Sequence, residues 1–361
     1  MAVNYTVILY DSAGTKQLYS DGFLDITMSR AVNGIDLLRM VYGGDNVAVQ
    51  YLTYGSIVEV YREDRAAGIA YYREFAGIIR MIDTVISDTT LVTVQAVGFN
   101  ALLADRIVAW KAGVSNRSQF SASPAETVLK NLFNYNLGSS ATVANGRLLD
   151  GTLSGATATA SGGAGNSISI SVHGQNLLTA MQRIQESAGG DFALIYTAPA
   201  TYTYTWYTGQ LGTNKVSTVK FSVANGTIGQ LRIVTDRIAD ATAAIVGGQG
   251  EGAARSYVTR PTSLPTGLNL RERWVDARSQ STTAEYQQLG DIVLADAERQ
   301  RSRVDAQILQ SDALRYGRDY VLGDLVGVFD GSTTLTRKVQ TIGIRFSSDG
   351  SESIDVGLIS Q

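Results

Sequence analysis

Cysteine is absent from the 361 residues, and that alone removes disulfides, thiolate metal sites and cysteine nucleophiles from consideration. Histidine is nearly absent too. The single one, His173 in "ISVHGQN", has no second imidazole to share a metal and no thiol to activate, so a structural or exposed role is expected. Charge is sparse: 17% of residues, 33 acids against 30 bases, a formal net charge of -3. No bulk field draws the chain to nucleic acid or anionic lipid, and any interaction must be local and shape-driven. No run approaches the roughly 20 apolar residues of a membrane span. The opening "MAVNYTVILYDSAGTKQL" lacks the basic flank and long apolar core of a signal peptide and reads as an alternating strand entering a turn. Synthesis and folding in a cytoplasm are expected.

What is present points to β structure. Thirty-seven glycines, 18 tyrosines and only four prolines favour strands joined by tight turns, and 44% hydrophobic residues can fill the cores of two or three domains. From Val3 to Gly98 the dominant period is two, in "YTVILY", "FLDITMSR", "SIVEVYR", "YREFAGIIRMIDTVI" and "TLVTVQAVG", punctuated by "SAGT", "NG", "YGGDN" and "SDTT". Residues 1–98 are expected to form a first domain, a small barrel or sandwich.

The period changes after Gly98. In "SASPAETVLKNLFNYNLG", Ser123 reads as a helix N-cap, Pro124 as the first helical residue, Glu126 as the closing half of a capping box and Gly138 as the stop. Residues 141–166 are small and polar, suiting either a flexible linker or a solvent-facing hairpin or long loop. "GQNLLTAMQRIQESAGGDFALIY" predicts a helix bearing Leu177, Leu178, Met181 and Ile184 on one face, stopped at Gly189 and running into a strand. Residues 99–231 are expected to be an inserted α+β region. From 232 to 361 strand signals return in "LRIVTDRIA", "ATAAIVGGQGEG" and "ARSYVTR". A long helix over about 283–309 is predicted from the capping pattern Thr282 to Glu285 and the spacing of Tyr286, Leu289, Val293, Ala297, Val304 and Ile308. Its charged face, Asp296, Glu298, Arg299, Arg301 and Arg303, reads as a solvated surface, with a subunit contact as the alternative.

One strand unit occurs twice. Gly55 to Tyr61, "GSIVEVY", matches Gly323 to Phe329, "GDLVGVF", apolar for apolar, and each is followed by a strand, a polar turn with Asp88 or Asp349, and a last alternating strand. The repeat predicts a mainly β fold with two similar small β-barrels flanking the inserted region.

The chain carrying "GSIVEVYR" and "FAGIIRMID" near its start, the helix of 283–309, and "YVLGDLVGVF", "KVQTIGIRF" and "ESIDVGL" at its end resembles the baseplate hub and tail-tip proteins of tailed bacteriophages. These include the hub region of siphophage tail-associated proteins and the hub of contractile-tail baseplates. The resemblance implies a virion structural protein without catalysis. It implies a homotrimer whose six barrels form a pseudo-sixfold ring that closes or extends the tail tube. The partners it implies are a distal tail protein or tail tube protein, the tape-measure protein, tail fibre or receptor-binding proteins, and DNA in transit through a lumen that is not strongly basic. The last strand ends at the carboxy terminus, so cell-wall degradation and receptor binding are expected to fall to other proteins.

Chemistry of other kinds finds little footing, and no catalytic, cofactor-binding or metal-ligating residue is assigned. "GGQGEG" at 247–252 superficially resembles a phosphate-binding loop but lacks its lysine and hydroxyl residue, so it reads as a turn or subunit-contact loop. Asp11, Asp25, Asp45, Asp64, Asp83 and Asp88 lie in or beside turns, where they cap backbone amides. Glu186 with Asp191 is the carboxylate pair to inspect for a glycosidase couple, against local capping. "TYTYTWYT" at 201–208 suits a sugar-binding platform or an edge strand. A cell-wall-degrading or carbohydrate-binding tail protein is therefore the alternative reading.

Overall fold

In the computed structural model, which describes residues 3–109, 117–311 and 313–360, the alternating amino-terminal segment becomes seven strands. They are β1 (Asn4–Tyr10), β2 (Lys16–Ser20), β3 (Asp25–Ala31), β4 (Leu37–Gly43), β5 (Ile57–Asp64), β6 (Ile69–Val85) and β7 (Leu91–Gly98). The middle of the chain supplies α1 (Ala101–Ala104), β8 (Ser118–Pro124), α2 (Ala125–Asn136), β9 (Ala156–Ala158), β10 (Ser167–Val172), α3 (Leu177–Ala188), β11 (Gly190–Thr197) and β12 (Thr201–Thr208). Next come β13 (Lys220–Phe221), β14 (Ile228–Thr235), β15 (Ala243–Gly247), β16 (Tyr257–Arg260), β17 (Glu272–Asp276) and α4 (Thr283–Gln300). The chain closes with β18 (Ser302–Ile308), β19 (Leu325–Phe329), β20 (Thr334–Ser347) and β21 (Glu352–Ile359). The fold is mainly β with few helices.

Strands from both ends of the chain share one 13-stranded sheet, ordered β14-β18-β21-β20-β3-β4-β7-β6-β5-β1-β2, with β19 and β13 pairing beside β20. The two terminal regions meet where β3 pairs antiparallel with β20, Ile26 opposite Phe346 and Met28 opposite Ile344. Among the described residues the path does not close into a barrel. One apolar core runs under both halves, from Val7, Ile26 and Met40 to Val328, Ile342 and Ile344. Each such side chain contributes about 1.5–3 kcal/mol by leaving water. A second core packs α2, α3 and α4 against the small sheets β11-β12-β9, β10-β8 and β16-β15-β17.

The repeated unit folds twice in the same way. In β5-β6-β7 and in β19-β20-β21 a strand turns into a long central strand, which turns into a third. Gly55 and Gly323 open the two units at φ of 85° and 87°. The Gly55 amide donates to Ile79 and the Ile79 amide to Ser56; the Gly323 amide donates to Val339 and the Val339 amide to Asp324. Immediately afterwards each central strand carries a bulge, between Ile79 and Met81 and between Val339 and Thr341. The units differ in their first partner, since β1 pairs antiparallel with β5 but β13 pairs parallel with β19.

Two helix predictions need correction. The helix predicted over 283–309 ends at Gln300, and Val304 and Ile308 belong to β18. From Val304 through Ala306 to Ile308 the apolar period is two, and pairing with β14 satisfies the strand period over the helical spacing. At α2, Ser123 lies in β8 opposite Ile168, and Pro124 occupies the cap position with no side-chain bond. The first amides of α2 are satisfied by backbone instead, Ala125 donating to Asn166 and Glu126 to Ala164. Nor does Glu126 close a capping box, since its carboxylate accepts from Lys130 and from the Gly162 and Ala164 amides; by contrast Gly189 ends α3 in the left-handed region at φ 73°, and Thr282 with Glu285 forms a complete capping box on α4. Residues 141–166 form a long loop that contributes β9 to the sheet beside β12.

An added Cβ separates the two repeated glycines. Gly55→Ala meets only the Ser12 side chain at 4.0 Å and is expected to cost the positive-φ penalty of about 1–2 kcal/mol. Gly323→Ala places its Cβ 2.7 Å from the Leu211 Cβ and 2.8 Å from the Gly212 amide nitrogen. Urea unfolding of the two variants should show the second as clearly the more destabilised.

Candidate assembly interface

Period-two alternation gives the large sheet two chemically different faces. One carries the first core; the other packs on the second core at β1 and β5, through Ile8, Tyr10 and Ile57, and is polar and open across β3, β4, β7, β21 and the outer parts of β6 and β20. On that open face cross-strand neighbours are Gly343 with Ser29 and Asp355, Arg345 with Thr27 and Ser353, Thr27 with Arg39, and Thr93 with Asp83. The charged residues contributed here by β3, β4, β7, β21 and the outer parts of β6 and β20 are Arg39 and Arg345 against Asp25, Asp83 and Asp355. Arg39 and Asp25 also pair with each other at 3.2 Å. Interspersed serine, threonine, glutamine and glycine keep the surface low in relief and nearly neutral. Such a face offers no phosphate-binding row of lysines.

Under the sheet, buried charge ties the three parts of the chain together. The Arg62 guanidinium forms a two-pronged bond with the Glu352 carboxylate, both contacts at 2.7 Å, and the Tyr5 hydroxyl donates to the same group. Glu74 accepts from Arg30 and from the Tyr316 hydroxyl, each at 2.7 Å, and from Tyr72. Asp191 is fully buried: its carboxylate accepts from Lys338, from the Asn33 side chain at 2.8 Å and from the Leu211 amide at 2.7 Å. Beside it lies a cavity of about 200 Å³ lined by Arg30, Asn33, Asp36, Arg73, Glu74 and Tyr196 among others. The α4 cap is similarly tied down. Burial pushes the Glu285 carboxyl up, yet bonds from Ser171, Ser281, Thr282 and Gln119 hold it below its ordinary value.

The residues singled out in the sequence are dispersed. His173 is exposed between β10 and α3. Glu186 and Asp191 do not act as a couple: Glu186 pairs with Arg299 of α4 and Asp191 with Lys338 of β20. Burial raises the Glu186 carboxyl above its ordinary value, with Arg299 opposing. Local capping is also not the role of Asp191, which bonds residues 158 and 147 positions away. Asp11 and Asp64 do cap turn amides, at Ala13, Thr15 and Ala67, whereas Asp83 stands exposed on β6. In β12 the rings of Tyr202, Tyr204 and Trp206 point into the second core, where Tyr204 stacks on Phe133 and Phe192. β9 covers that strand only from Tyr202 to Tyr204, leaving its last residues paired on one side, and its aromatic face is used up in packing rather than presented as a sugar platform. The 247–252 loop folds as a turn held by Arg255, which donates to the Gly247 and Gly248 carbonyls. Among the described residues no cluster of three metal-ligating side chains occurs, and no helix is long and apolar enough to cross a membrane.

The family model of the Siphovirus ReqiPepy6 Gp37-like protein matches residues 17–358, so the chain belongs to that family. Its fold is shared by solved structures at very low identity. The tail protein from Neisseria meningitidis MC58 aligns over 99% of this chain and 97% of its own, at 14% identity and a TM-score of 0.57. The 43 kDa tail protein of prophage MuSo2 from Shewanella oneidensis aligns over 98% and 97%, at 10% identity and a TM-score of 0.56. The prophage tail protein gp18 from Listeria monocytogenes EGD-e aligns over 99% and 94%, at 9% identity and a TM-score of 0.56. No curated protein matches by sequence.

Lys338→Met leaves the Asp191 charge buried without its cation, which is expected to cost about 3–5 kcal/mol. Adding Asp191→Asn should return much of that loss. Guanidinium unfolding of the single and double variants measures both steps.

Proposed function

We propose, from membership of the Siphovirus ReqiPepy6 Gp37-like family, that the chain is a tail-tip or baseplate hub whose two repeated units take equivalent places around one axis. Three chains then supply six units to a ring that matches a sixfold tail tube. Each unit is the wall of one small barrel, the first within residues 1–98 and the second within 232–361, and residues 99–231 fill the outside of the ring as an inserted region. The observation that carries this reading is the duplicated meander: the same glycine conformation, the same pair of backbone bonds and the same bulge at both ends of the chain, within one sheet. Duplication of a surface inside one chain gives a threefold assembly a sixfold face.

The polar side of the sheet faces the lumen in this reading. Its near balance of Arg39 and Arg345 against Asp25, Asp83 and Asp355 lets DNA and the tape-measure protein pass without being held. A distal tail protein or tube protein docks on one end of the ring, and fibre or receptor-binding proteins on its periphery. The role is mechanical: closing or extending the tube and gating ejection, without catalysis.

Light scattering with electron microscopy tests the assembly. Rings of three chains with a central channel are the expected result, and a chain that stays monomeric at high concentration with its tail partners present overturns the reading. Particles carrying Ser29→Lys, Thr341→Lys and Asp355→Lys together test the lumen. They are expected to assemble, yet to release DNA more slowly, with a defect that shrinks as salt is raised.

A further inference from the structure

Two strand edges of the large sheet differ from the joint that β20 makes with β3. Within one chain β20 is paired with β21 from Lys338 to Phe346 on one side, and on the other with β19 before the bulge and β3 after it. In the first repeat the long strand β6 is paired with β7 on one side and with β5 only as far as Ile78 on the other. Beyond the bulge, Met81–Val85 therefore present an edge with no strand partner among the described residues, at the place where β20 receives β3. The strand equivalent to β3 in the second repeat is found by crossing the sheet. Ile79 and Val339 correspond, and face Ala96 and Leu358. Ala96 faces Leu38, which faces Met28; Leu358 faces Val304, which faces Ile233. So β14 stands where β3 stands, with Ile233 in place of Met28. Among the described residues its only strand partner is β18.

Exposure shows what is missing at these two edges. Ile342 and Phe346, beside β3, are 0% and 7% exposed, whereas their counterparts Ile82 and Ile86 are 39% and 80% exposed. Met28 is 1% exposed and its counterpart Ile233 41%. These side chains sit on the core side of the sheet, where a neighbouring strand would cover them.

We propose that β14 of one copy pairs antiparallel with the outer part of β6, Met81–Val85, of a second copy, reproducing between chains the β3–β20 joint made within each chain. The proposal rests on the ring reading above and names the surface that builds the ring. The register transfers directly, because Ser29 opposite Gly343 becomes Val234 opposite Asp83, and Met28 opposite Ile344 becomes Ile233 opposite Thr84. The contact is heterologous, with different edges meeting head to tail, so it propagates until a ring closes. It also removes two strand edges that would otherwise invite uncontrolled pairing.

The chain's lack of cysteine makes a direct test possible. At the internal joint the Val32 amide donates to Gln340 and the Ser348 amide to Leu24, so Ser29 and Gly343 form a pair without mutual backbone bonds, the closer kind. The corresponding double variant Val234→Cys with Asp83→Cys is expected to give, on oxidation, a ladder on non-reducing gels that ends at the assembled stoichiometry, while each single variant does not. Ile86→Lys is expected to leave the melting of the monomer unchanged but to weaken assembly by about tenfold or more. An assembled ring in which the double variant stays unlinked would overturn the proposal and assign these edges to a different chain, leaving the ring reading intact. A chain that remains monomeric at all concentrations, with tail partners added, would overturn both.

Discussion

The backbone pairing of β3 with β20 is the contact on which the rest of the structure depends. It joins residues near 25–31 to residues near 341–347, and without it the two ends of the chain would form separate edges rather than one sheet. A loop of that length costs only slowly growing entropy to close, but the cost must be met by contacts that form together. Here the apolar side chains of Ile26, Met28, Ile342 and Ile344 are buried beneath the joint, and the Arg62–Glu352 pair fixes it from below. The inserted region is fastened to the same place through Asp191, which reaches Asn33 after β3 and Lys338 within β20.

The bulge in each repeat gives this arrangement its geometry. A long strand that kinks after Ile79 or Val339 can exchange one neighbour for another on the same side, so that one strand belongs to two local sheets. In β20 that second neighbour is β3. The same kink in β6 leaves an edge whose apolar side chains are in water. The repeat thus satisfies one of its two joints within the chain and leaves the other open among the described residues.

Several features were legible because they depend on neighbours in the chain. The capping box of Thr282 and Glu285 and the stop at Gly189 are set by local backbone chemistry, and they appear where the pattern placed them. The matched glycines at 55 and 323 also declared themselves through alternation alone. Features set by distant partners were not legible. The helix after Thr282 was read too long because Val304 and Ile308 fit helical spacing as well as strand spacing, and the choice was made by pairing with β14. Ser123 resembled a cap, but the chain before α2 is held in a strand by β10. Asp191 and the rings of β12 offered sequence signals of binding chemistry; burial turned both into scaffold.

By itself the sequence determined the kind of protein this is: a strand-rich chain, free of cysteine, nearly neutral, with one meander written twice and helices between. Those properties follow from period, composition and turn residues, which act over a few positions and survive without knowledge of partners. The tertiary structure alone decided that the two meanders share a sheet, which side of that sheet is polar and open, and which charges are buried as ties between segments. It also left β14 and the outer part of β6 as open edges. The reason is physical: alternation fixes that a strand has two faces, but only the strands laid beside it determine which of its edges and faces remain in water.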